Sequence, residues 1–192
     1  MKWKVITLFV LIMAILVSCS SADYGDEYGV APNYVPLEAD GSNCYAYALG
    51  LFNNRQSFSP GQFSEPYSDW LSEYTLNAVS LAVLADLRAL GGSARIIKSY
   101  NAPISADEYR IALRVIIIKN PKKSDIDWDY RFMMQTSTGH WAEKLGPCSS
   151  SVLYGKEITP ENAPWSACGR SEYYDSSIVY FAITPAAVSQ IA

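Results

Sequence analysis

"DYRFMMQTSTGHWAEKLG", Asp129 to Gly146, reads as two strands joined by a turn over Thr136–Gly139, where Thr, Ser and Gly break two runs of strand-forming residues. Further strands lie on either side of it. "ARIIKSY" (Ala94–Tyr100) is short, "EYRIALRVIIIKN" (Glu108–Asn120) is rich in β-branched residues and ends before Pro121, and "SIVYFAIT" (Ser177–Thr184) closes the set. Upstream the period changes. "TLNAVSLAVLADLRALGG", from Thr75, places Leu76, Val79, Val83, Leu87 and Leu90 at helical spacing, with Gly91 as its stop. Only Asp86 and Arg88 are charged in this stretch, so the helix is expected to be largely buried. A second, shorter helix is predicted through "CYAYALGLF" (Cys44–Phe52), capped by Ser42 or Asn43, and "SFSPGQFSEP" reads as a loop. Two helices followed by four or five mostly antiparallel strands make an α+β domain.

The N-terminus has a different composition. Lys2 and Lys4 precede a run from Val5 to Val17 that is apolar apart from Thr7, too short for a membrane span and of the length of a secretory signal. The residues that follow, Leu-Val-Ser-Cys (Leu16–Cys19), resemble the bacterial lipoprotein cleavage box. That resemblance implies cleavage before Cys19 and lipidation of this residue. An ordinary signal peptide with an incidental cysteine is the alternative. The expected organisation is a signal over 1–18, an acidic flexible tether over 19–40 that is ordered only in its last few residues, and one domain over 41–192. Ser20 lacks the aspartate associated with inner-membrane retention in enteric bacteria, which points to the outer membrane of the cell envelope.

Loss of residues 1–18, which carry two lysines and no acids, takes the formal charge from −4 to −6. No basic cluster of any size remains, and this argues against nucleic acid as a partner. The partner expected first is the membrane, through the N-terminal lipid. One histidine and scattered cysteines cannot close a zinc site, and "SDIDWD" lacks the full calcium loop and its glycine, so neither metal nor cofactor is expected. The 14 tyrosines and 5 tryptophans suit aromatic-lined surfaces, and Trp128, Trp141 and Trp165 fit either a groove for glycan or peptide or the core. With Cys19 lipidated, three cysteines remain. Cys148 and Cys168 flank a Ser-, Gly- and Pro-rich segment and are paired here as a disulfide, which leaves Cys44 as a free thiol.

A cysteine that opens a helix is favoured as thiolate by the unpaired N–H groups and the dipole there. Joined by a base from a neighbouring strand and a polar group to orient that base, it would form a nucleophilic site. A buried, inert thiol is the other reading. "NCYAYALG", "PGQFS" and the hairpin "DYRFMMQTSTGHWAEKLG" together resemble a bacterial family with an N-C-Y-A-Y-A-L opening and a later D-Y-H-F-Y-R-Q…G-x-W-x-H-K-x-G hairpin. That layout is similar to papain-like cysteine hydrolases related to the NlpC-type and CHAP cell-wall amidases, with the match covering Asn43 to Gly146. The resemblance implies a papain-like fold, with N-terminal helices on the antiparallel sheet, and Cys44 at the nucleophile position. It also implies action on cell-wall peptide or another amide. The family's two histidine positions are filled by Arg131 and Glu143, and arginine stays protonated and cannot accept a thiol proton.

His140 is the chain's single histidine. If 131 and 143 share a face, strand alternation puts 140 on the other, unless a bulge at Gly139 shifts the parity. The turn lies roughly 13–16 Å from position 131 at about 3.3 Å per residue. His140 is therefore either the base for Cys44 in a differently aligned site or a histidine near the turn. Three functions stay open: a cysteine amidase or endopeptidase with Cys44 and His140 as catalytic pair, a degenerate relative that binds a peptide or glycan such as peptidoglycan without cutting it, and an interaction module with no inherited chemistry.

Overall fold

The structure is a computed structural model that describes residues 27–39, 41–52, 57–64, 75–116, 129–146, 149–165 and 174–186. The signal and lipobox, including Cys19, lie outside the described residues, as do Cys148 and Cys168 with their expected disulfide, and Trp128. Two helices are described: α1 (Cys44–Ala48) and α2 (Leu76–Ala89). Six strands follow: β1 (Ala94–Ile97), β2 (Tyr109–Val115), β3 (Tyr130–Gln135), β4 (Trp141–Lys144), β5 (Ser151–Leu153) and β6 (Val179–Ile183). They form one antiparallel sheet in the order β1-β6-β2-β3-β4-β5, so the class is α+β. None of the helices among the described residues is long and apolar enough to cross a membrane.

Each helix has a local cause. Asn43 caps α1, its Oδ1 accepting from the N–H of Ala46 at 3.0 Å, and Thr75 caps α2 in the same way through Ala78. α2 ends at Gly91, whose positive φ of 74° lets Gly91 and Gly92 donate back to Arg88 and Leu87. With five residues, α1 is far below the length at which a helix holds by itself. It persists because all five side chains are buried, Tyr45 and Tyr47 completely, against β3 and β4. A single carboxylate ties this region together. Asp86, fully buried on α2, accepts from Tyr45 Oη, the N–H groups of Gly61 and Phe63, and Ser64 Oγ. Burial raises its pKa and these four bonds oppose the rise.

Both faces of the sheet are covered, which explains why its central strands show no clean alternation. On one face Ile111, Leu113, Phe132, Met134 and Phe181 pack with α1 and α2. On the other, Ala112, Met133, Trp141, Tyr180 and Ala182 pack with Trp165 and Tyr174 from the segments around β5 and before β6. Trp141 and Trp165 are core residues, each 2% exposed. The Ser- and Gly-rich stretch read as loop contributes β5, a strand of three residues too brief to leave a pattern in the sequence.

The tether boundary also moves. Residues 27–39 do not hang free but form a strap along the domain. Arg110 Nη1 donates to the carbonyl of Glu27, Val30 N–H to Glu108, and Ser137 N–H to Pro32. Leu37 exchanges bonds with Ser151 on the outer side of β5, and Tyr47 Oη donates to Val35. Gly29, at φ 54°, lies so close to the Glu108 carbonyl that a Cβ would come within 1.9 Å of its oxygen. The sequence showed no apolar period here because the strap is held chiefly by backbone bonds, with Ala31, Tyr28, Tyr34 and Leu37 as its apolar contacts.

Candidate functional site

The residues singled out on α1 and the hairpin meet at the start of β3. The cap places Cys44 as the first residue of α1, with its Sγ 3.7 Å from the carbonyl of Tyr130. Asn43 also fixes the loop above it. Its Nδ2 donates to Phe58 O at 2.6 Å, and Tyr130 Oη donates to the same carbonyl at 3.2 Å. Cys44 is a free thiol and 5% exposed.

Arg131 and Glu143 share one face of β3 and β4. Arg131 Nε lies 3.7 Å from Glu143 Oε2, with the side chains 3% and 1% exposed. The guanidinium also sits over the ring of Tyr174, 5.1 Å from its centroid, and donates from Nη1 to Lys144 O at 3.4 Å. Two tyrosines complete the group: Tyr154 Oη donates to Glu143 Oε1, and Tyr174 Oη donates to Asp129 Oδ2. Sequence reasoning missed both tyrosines, because they lie in irregular segments that the fold brings back over the hairpin. Asp129 had stood out only within "SDIDWD".

The electrostatics favour a protonated thiol. Burial pushes the Cys44 thiol up to about 12, and the Arg131 charge opposes this without overcoming it, while Asp129 and Glu143 add to the rise. Burial likewise raises Glu143 against the pull of Arg131 and the bond from Tyr154. Burial by itself would lower Arg131, but the groups around it, led by Cys44 and Glu143, hold its pKa above the ordinary value.

His140 is elsewhere. It sits between the turn and β4, half-buried, and its carbonyl accepts from the N–H and Oγ1 of Thr136. Thr136 follows the last residue of β3, so the backbone at His140 lies about 17 Å along the strand from Arg131. Among the described residues, no group of three or more His, Cys, Asp or Glu side chains is placed to hold a metal. The buried Glu143 carboxyl and the buried Arg131 cation, beside a thiol, can pair charges and fix the hairpin against its covering segments. As arranged, they offer no neutral nitrogen to take a proton from sulfur. A scan against family models, a search of curated proteins and a search of solved structures found no match for this chain.

Proposed function

We propose that this chain is a lipid-anchored protein of the bacterial cell envelope, held in the membrane through Cys19. Its papain-like domain has the layout of a cell-wall cysteine hydrolase without the proton-transfer machinery, and it binds a peptide or glycan, peptidoglycan first among them, rather than cleaving it. The observation that carries this reading is the state of Cys44. The thiol is buried, its pKa is pushed up to about 12, and the charged groups nearest it are Arg131, Asp129 and Glu143 in place of an imidazole. The hydrolase reading keeps one support, the capped helix start that presents Cys44 to the hairpin, but it needs His140 to reach sulfur from the turn.

Alkylation separates the two. Native full-length protein is treated with iodoacetamide from pH 6 to 10, and modification of Cys44 is followed peptide by peptide by mass spectrometry. The expected result is no reaction at Cys44 until denaturant is added. An apparent thiol pKa below about 7.5 in the folded protein would overturn the binding reading in favour of a nucleophile. Calorimetric titration with soluble muropeptides then tests the ligand class, with intact ligand recovered afterwards.

A further inference from the structure

Arg114 stands directly across from Arg131 in the pairing of β2 and β3, so both side chains leave the same face of the sheet, the one that carries Ala112 and Met133. Their surroundings differ. Arg131 has the Glu143 carboxylate beside it, whereas Arg114 makes no ion pair among the described residues. The Arg114 guanidinium is fixed on two sides. It lies over the Trp165 ring, 5.4 Å from the centroid, and that ring is held in turn by a bond from its Nε1 to Pro160 O. Its Nη1 donates to Tyr174 O at 3.1 Å, and the ring of the same Tyr174 lies against Arg131. The edge left over, Nε with Nη2, is the fork that matches the two oxygens of a carboxylate. Nε is buried there and has no hydrogen-bond partner. A second such donor lies close by. Tyr180 on β6 is paired with Ala112, which puts it diagonal to Arg114 on this face. It is 6% exposed, and its Oη is also buried without a hydrogen-bond partner. Burial and the nearby Glu161 carboxylate push this phenol up to about 12 against the pull of Arg114, so at neutral pH it is a donor. Buried donors without partners are uncommon in folded proteins, and here two lie together beside the candidate site.

We propose that Arg114 and Tyr180 hold a carboxylate, and that it belongs to the peptide bound at the neighbouring Cys44–Arg131 site. The Nε–Nη2 edge of Arg114 donates to its two oxygens, and Tyr180 Oη supplies a further bond. The peptide as its source rests on the binding reading above; the carboxylate site does not. A carboxylate suits the place better than a phosphate, because Glu161 is near and would repel a second negative charge more strongly. Among the described residues, the surroundings leave an approach: Tyr100, Ile116 and Ile178 are half-buried against this face and Glu161 is exposed.

NMR titration of the isotope-labelled full-length protein with N-acetyl-alanyl-alanine tests this at the Arg114 Nε–H signal, identified as the one lost in Arg114→Lys. A saturable downfield shift is expected with the dipeptide acid and none with its C-terminal amide. Tyr180→Phe removes a hydroxyl that bonds nothing in the free protein, so it should leave the urea midpoint unchanged while weakening the acid about tenfold. Glu161→Gln should tighten it about twofold or more. No shift with the acid, an equal shift with the amide, or an unchanged affinity in Tyr180→Phe overturns the site. A stronger response to inorganic phosphate overturns the choice of carboxylate, and acetate binding as tightly as the dipeptide overturns the peptide as its source. Muropeptide titration keeps the two readings apart. If the dipeptide acid binds and muropeptides do not, the site stands and peptidoglycan falls as ligand; if muropeptides bind equally well to Arg114→Lys, the binding reading stands and the site falls.

Discussion

Replacing Arg131 by methionine tests whether the charged cluster is a structural pair. The substitution keeps most of the side-chain volume but removes the cation from a position 3% exposed, leaving the Glu143 carboxylate, 1% exposed, with Tyr154 as its remaining bonded partner. Breaking a buried pair from one side costs about 3–5 kcal/mol, whereas replacing both members by apolar residues is often close to neutral. Arg131→Met is therefore expected to lower stability by about 3–5 kcal/mol, and Arg131→Met/Glu143→Met to recover most of that loss. Urea unfolding followed by tryptophan fluorescence reads both. At about 1–3 kcal/mol per molar urea, the single variant's midpoint should fall by roughly 1–5 M with the slope unchanged. The pH dependence carries a second check. Glu143 has a folded pKa raised above its ordinary value of 4.5, so its contribution is fully present below pH 4.5 and is lost as pH rises through the folded pKa. Without Arg131 that pKa climbs further, and the deficit of the single variant should shrink on acidification. Additive single and double variants, or a cost below about 1 kcal/mol for Arg131→Met, would refute the coupling.

Three further outcomes follow from the fold. Asp86→Ala strands four donors around a buried position and is expected to cost about 3–5 kcal/mol, after allowing for the carboxylate's own burial, read as a drop in urea midpoint. Gly29→Ala places a Cβ on the Glu108 carbonyl at a positive φ, so the strap should lift and amide exchange at Val30 and Ser137 should rise at least about tenfold, with the sheet amides unchanged. Between pH 9 and about 12 the unfolded chain ionises Cys44 while the folded chain does not, so stability from this thiol falls as pH rises through that window. The wild-type protein should therefore lose about 1.4 kcal/mol per pH unit relative to Cys44→Ala over pH 9.5–10.5, by urea titration at each pH.

The parts of the fold legible in the sequence are those in which local chemistry agrees with the final contacts. Thr75 and Gly91 bound α2 because capping hydroxyls and left-handed glycines work through the nearest backbone. The turn Thr136–Gly139 is visible for the same reason, and the five longer strands are visible through their β-branched and aromatic content. The strap and β5 are held instead by partners far along the chain, such as Arg110 for Glu27 and Leu37 for Ser151, and no local pattern announces such bonds. At the candidate site the sequence supplied the positions Cys44, Arg131 and Glu143, which the sheet register brings to one end of the hairpin. It did not supply Tyr154 and Tyr174, and it carried no sign of how deeply the thiol would be buried, which depends on the loop that Asn43 holds at Phe58.

The Asp86 carboxylate has a consequence for the order in which the chain assembles. It gathers donors from a tyrosine 41 residues away and from a loop 22 to 25 residues away, so neither partner is near it until α2 is in place. α2, at 14 residues and doubly capped, can begin to form early, whereas five residues of α1 cannot pay their own nucleation cost. Closing those loops comes before their contacts give any return. The short helix that carries Cys44 is thus expected to form late in folding, once the partners of the Asp86 carboxylate have been brought together.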